Sequence, residues 1–155
     1  MLTVVPGYPY REMTIQETIK TDLTAAMKAG DKARVSALRL VLAELQKDEK
    51  EGAGDELAVL RREKKRRLEA AEQFDEAGRD DLAGPERSEA ELISTYLPAE
   101  LGDAELKEIV EKAVAESGAS SPADIGQAMK SVMQAVDGRA DGKRVNALVR
   151  EVLGA

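Results

Sequence analysis

The chain contains no cysteine, no histidine and no tryptophan. Without cysteine there are no disulfides and no thiolate metal sites, so an oxidising compartment is not required. Without histidine the usual general base, the usual zinc ligand and every Ser-His or Cys-His nucleophile pair are missing. Aromatic residues are only 3% of the sequence: Phe74, Tyr8, Tyr10 and Tyr96. So few rings argue against a stacking platform for single-stranded nucleic acid. They also argue against a sheet, because strands favour aromatic and β-branched residues. No apolar run approaches a membrane span, and no membrane partner is expected. Met1 to Glu12 show neither a basic start nor an apolar stretch, so no signal peptide is expected and the expected location is cytoplasmic.

What is present is a composition dominated by Ala, Leu, Glu, Lys and Arg. That mix predicts an all-α protein. A chain of 155 residues suffices for one domain or two small ones, and buries roughly two thirds of its unfolded surface. The net charge of −7 opposes indiscriminate nucleic-acid binding, which normally shows a broad basic face. Any contact with RNA has to be local.

Along the chain, residues 1–13 read as an irregular leader, and an N-terminal helical domain of about four helices is expected over 14–98. Thr14-Ile-Gln-Glu17 is a capping box that opens a first helix with Ile15, Ile19, Leu23 and Met27 on one face, stopping at Gly30. Asp31 caps a second, with Val35, Leu38, Val41, Leu42 and Leu45, ending near Gly52. Asp55 caps a third running to about Ala77, with Leu57, Leu60, Leu68, Ala71 and Phe74 interrupted by Lys64. A fourth, shorter helix is expected around Glu86 to Tyr96, before Leu97-Pro98 breaks the pattern.

Residues 99–155 read as a three-helix tail domain. Asp103 caps the first of these helices, which carries Leu106, Ile109, Val110 and Ala113 and ends at Gly118. Ser121-Pro122 opens the second, with Ile125, Met129, Val132, Met133 and Val136. After an Asp137-Gly138 turn, Asp141 caps the last, with Val145, Leu148, Val149 and Val152. The spacing of Met129 and Met133 is that of core filling, not of a cofactor box.

Two cationic clusters stand out. The first is the start of the last helix, flanked by Arg139, Lys143 and Arg144. Free N–H groups, the positive end of a helix and three cations favour a phosphate. Capping by Asp141 explains the same residues as folding chemistry, and its carboxylate competes for that positive end. The second is Arg61, Arg62, Lys64, Lys65, Arg66 and Arg67, which with Glu63 give a block of +5; residues 69–81 follow with −5. This bipolar stretch is either a solvated helix with pairs such as Glu63 to Arg67 and Lys65 to Glu69, or a basic face turned towards RNA. The 30 scattered acidic residues single out no acid-base pair. No catalytic, metal-binding or cofactor-binding residue is assigned.

The segments Met13-Thr-Ile-Gln-Glu17, Met27-Lys-Ala-Gly-Asp-Lys-Ala-Arg34, Ser36-Ala-Leu-Arg-Leu40, Ala77-Gly-Arg-Asp-Asp-Leu82, Tyr96-Leu-Pro98 and Gly138-Arg-Ala-Asp-Gly-Lys-Arg-Val-Asn146 resemble the GatB/YqeY family, in its free-standing YqeY-like form. The resemblance covers residues 13–155. It implies an N-terminal helical domain and a tail similar to the C-terminal domain of GatB, the component of tRNA-dependent amidotransferases that grasps tRNA during amidation. The implied function is a tRNA-binding accessory module, with an amidotransferase or an aminoacyl-tRNA-related protein as further partner. Amide-ligase (carbon-nitrogen ligase, glutamine as donor) is the family label, yet the kinase and amidase parts of those enzymes have no counterpart here, so autonomous catalysis is not expected. The alternative is a protein-interaction or oligomerisation module without RNA contact.

Overall fold

The computed structural model describes residues 13–155. The expected leader, apart from Met13, lies outside them. The described residues form seven α-helices and no strand: α1 Ile15–Ala29, α2 Lys32–Glu51, α3 Glu56–Glu76, α4 Asp80–Ser94, α5 Asp103–Ser117, α6 Ile125–Val136 and α7 Gly142–Leu153. The protein is all-α, as its composition requires. A short 3₁₀ turn, Pro122–Asp124, leads into α6. The helices group into two compact units, one ending at Leu97 and the other running Pro98–Ala155.

In the first unit the helix starts are set by side chains. Thr14 and Glu17 close the capping box of α1, at 3.2 Å to the Glu17 amide and 2.9 Å to the Thr14 amide. Asp31 accepts from the Arg34 amide and Asp55 from the Ala58 amide. The α1 amides gain a third, remote acceptor. Glu56, in the first turn of α3, takes Ile15 N–H at 3.1 Å and Gln16 N–H at 3.0 Å. A carboxylate from a distant helix thus sits on the positive end of α1. Ile15, Ile19, Leu38, Val41, Leu45, Val59, Leu60, Ile93 and Tyr96 form the core that α1 and α2 share with the base of α3 and α4.

Several expectations need correction. α4 begins at Asp80, not near Glu86, and carries Pro85 inside it. Pro85 forgoes one backbone hydrogen bond, while Asp80 and Asp81 favour the helix start through its dipole. The apolar face of α3 is shifted: Val59 and Glu63 are buried and Leu68 is exposed. Met27, Met133 and Val152 are also exposed, not core. Asp103 is the first residue of α5 and Gly102 precedes it as the cap.

The second unit closes around Leu101, Leu106, Val110, Val114, Ala128, Val132, Val136, Val145, Val149 and Leu153. Between α6 and α7, Asp137 (φ 48°) and Gly138 (φ 70°) take the left-handed conformation in succession. Asp is one of the few side chains that tolerate it, and Gly carries no Cβ to oppose it. The chain is thereby reversed into the basic turn. No helix among the described residues is long and apolar enough to cross a membrane.

Candidate functional site

The basic turn is built from two distant pieces of chain. Arg139 N–H returns to the Val136 carbonyl at 3.0 Å, closing the reversal. The Arg139 carbonyl then accepts from Leu101 N–H at 2.7 Å, and its Nε donates to the Ala99 carbonyl at 3.3 Å. Arg144, in the first turn of α7, donates through one nitrogen to the Leu101 carbonyl at 3.2 Å and to Asp103 Oδ1 at 2.7 Å. Leu101 is buried in the tail core, so the clasped segment is fixed at both its side chain and its backbone. Arg139 and Arg144 therefore meet on residues 99–103. Their acceptor carbonyls are two residues apart, at most about 7 Å.

Lys143 is different. It is exposed, and its backbone N–H donates to the Asp141 carboxylate at 2.5 Å. Asp141 thus occupies part of the α7 N-terminus, as the capping reading expects. The structure brings Arg139 and Arg144 together and leaves Lys143 beside them in solvent. Sequence reading missed Ala99, Leu101 and Asp103, because an acceptor on a distant stretch of backbone leaves no local pattern.

The 61–67 block is not a uniform basic face. Glu63 is buried, and Arg66 donates to it at 2.8 Å while Arg62 and Arg67 lie at 4.0 Å. Arg67 is half-buried between α3 and α4, 3.5 Å from Glu86 and 3.2 Å from Glu89. Oε2 of Glu86 is buried without a hydrogen bond and relies on that longer ion contact. Arg61 and Lys64 are half-buried, and Lys65 stands out in solvent, 3.8 Å from Glu69. Arg62 and Arg66 line an open groove of about 300 Å³ with Glu44, Lys47, Asp48, Glu51 and Gly52. Its mixed charges and lack of enclosure differ from an apolar small-molecule pocket. Among the described residues no cluster of three acidic side chains could hold a metal ion.

Comparison with known proteins gives one family and a few relatives. The family model described as Yqey-like protein matches residues 16–153. A Pyrenophora tritici-repentis protein named altered inheritance of mitochondria protein 41, mitochondrial, is 27% identical over 153 residues, covering 93% of this chain and 83% of that protein. A protein of the same name from Clavispora lusitaniae is 35% identical over 98 residues, covering 59% of this chain and 57% of its own. An uncharacterised Schizosaccharomyces pombe protein is 34% identical over 89 residues, covering 54% and 72% respectively. The mitochondrial names overturn the expected cytoplasmic location. Lack of an apolar start or a membrane span does not distinguish a cytoplasmic protein from one inside an organelle.

Proposed function

Because the chain belongs to the YqeY-like protein family, we propose that it is an accessory helical module whose tail unit touches tRNA at the α6–α7 turn. The observation that carries this is the clasp. Arg139 and Arg144 are held side by side on residues 99–103, next to exposed Lys143. A guanidinium has five N–H donors, and each anchored arginine spends only part of them on its own chain. Side chains already fixed lose less entropy when a phosphate arrives than free ones do. The likeness of the tail to the C-terminal domain of GatB belongs to the same reading. So does a division of labour between an N-terminal helical domain and a tail domain. The names of the two mitochondrial relatives support a mitochondrial location, which cell fractionation tests.

The test is titration of tRNA with the full chain at two salt concentrations. Lys143→Glu is the informative variant, since Lys143 holds no part of the fold together through its side chain. Saturable binding that weakens with salt, and falls about tenfold in Lys143→Glu, is the expected result. Identical affinity in wild type and variant removes the site.

A protein-interaction module is the second reading. It is favoured by exposed Met133 and Val152 in the tail and by the carboxylates of Asp103 and Asp141 beside the cations. One protein partner retained after nuclease treatment, with no tRNA affinity, selects it.

A further inference from the structure

The α3–α4 hairpin carries a feature that RNA contact does not use. The core of the first unit takes in Leu57, Val59 and Leu60 from α3, then Leu92, Ile93, Tyr96 and Leu97 from the end of α4 and the turn beyond it, and nothing between residues 61 and 91. Over that stretch the two helices pack on each other through buried Ala71, Ala83 and Ala90. Ion pairs from Arg67 to Glu86 and Glu89, and from Arg87 to Asp75, reinforce the contact. Residues 61–76 thus form an arm about 24 Å long at 1.5 Å per residue.

One stripe of this arm is chemically ordered. At 100° per residue, Arg61, Lys65, Leu68, Glu72 and Glu76 fall on the same side of α3. Lys65, Leu68, Glu72 and Glu76 are all exposed, Leu68 by 42%. Read along the helix, the stripe is positive, apolar, then negative. Such an order is its own complement when reversed. An antiparallel second copy with its two-fold axis beside Leu68 sets Lys65 against Glu72 and Arg61 against Glu76 in a single register. The two Leu68 side chains then cover each other at the centre. This is the self-complementary pattern that an isologous interface requires.

We propose that two copies of this chain associate through the α3 stripe, antiparallel and two-fold symmetric. At Lys65 the pairing needs little internal rearrangement, because that side chain is held by exposed Glu69 at 3.8 Å, a contact of small worth. With one apolar residue per copy at its centre, the dimer is weak and its charged pairs make it sensitive to salt.

Sedimentation of the full chain over a range of concentrations, at low and high salt, tests this. Wild type is expected to dimerise at low salt and dissociate as salt rises. Lys65→Glu and Glu72→Lys each place like charges opposite one another, and each weakens self-association about tenfold. Mixing these two variants restores the dimer, because every pair is then of opposite sign. Leu68→Lys abolishes it. A wild type that stays monomeric at low salt overturns the proposal. So does a dimer unaffected by the single charge reversals, or single variants that fail to pair when mixed. Circular dichroism of each variant, expected to match wild type at these exposed positions, separates loss of the interface from loss of the fold.

Discussion

Arg144 holds the Asp103 carboxylate at 2.7 Å, across 41 positions of sequence. The contact has two consequences. It staples the start of α5 to the first turn of α7, and it places a negative charge where an incoming phosphate would compete for the same guanidinium.

The competition gives a first prediction. Asp103→Asn keeps a polar side chain at the first position of α5 but removes its charge. Affinity for tRNA is expected to rise about threefold, the worth of one exposed charge. Fluorescence anisotropy with labelled tRNA reads it. An unchanged or weaker affinity assigns Arg144 to the clasp alone.

Glu56 provides a second. Its two oxygens hold the Ile15 and Gln16 amides at the start of α1. Glu56→Ala removes both charge-assisted bonds and should lower stability by about 1–2 kcal/mol in urea unfolding. Glu56→Gln keeps one carbonyl acceptor and should lose less. Equal losses in the two variants would mean that the carboxylate charge carries the stabilisation and a neutral acceptor adds nothing.

A third concerns pH. Tyr96 donates its hydroxyl to Asp22 at 2.5 Å. Burial first, then the bond to Asp22 and its charge, push the Tyr96 hydroxyl well above the usual tyrosine value, with nearby Arg34 pulling the other way. The folded state therefore keeps this proton after the unfolded chain begins to lose it near pH 10. By linkage the contribution of Tyr96 is fully present below pH 10 and declines as pH rises past it. Tyr96→Phe should be less stable than wild type at neutral pH, and the gap should narrow above about pH 10. A gap that stays constant up to about pH 11, a unit past the unfolded value, contradicts this.

Arg67 gives a fourth. It lies within 4.0 Å of Glu63, Glu86 and Glu89, so Arg67→Ala leaves three carboxylates facing one another with less compensation. A loss of about 1–2 kcal/mol is expected, since half-buried ion clusters lose more than exposed pairs when one member is removed. Lys65→Ala, at a side chain 77% exposed, should change stability by only a few tenths of a kcal/mol. Thermal or urea unfolding ranks the two.

Much of the helical layout was legible in the chain. Thr14 with Glu17, Asp31, Asp55 and Asp141 announce helix starts, because a cap acts on amides two or three residues ahead. Gly30, Gly118 and the Asp137-Gly138 pair mark stops or reversals for an equally local reason. The start of α4 at Asp80 was not legible, since Pro85 lies inside that helix. A helix absorbs one missing hydrogen bond when its partner, here α3, holds it in place.

The site is another matter. Sequence placed Arg139, Lys143 and Arg144 together by their spacing alone, and counted Arg61, Arg62, Lys64, Lys65, Arg66 and Arg67 as a single cationic block. Whether an arginine faces solvent or a carboxylate is decided by what packs opposite it, and that partner can lie anywhere in the chain. Glu86 and Glu89 claim Arg67, while Ala99, Leu101 and Asp103 claim Arg139 and Arg144. The sequence by itself determined an all-α chain, most of its helix ends, and the absence of histidine and cysteine chemistry, since these depend on composition and short-range backbone bonding. Only the tertiary structure decided which charges are spent on the fold and which, like Lys143, remain in solvent, because ion pairing between helices depends on distances in space that residue order does not encode.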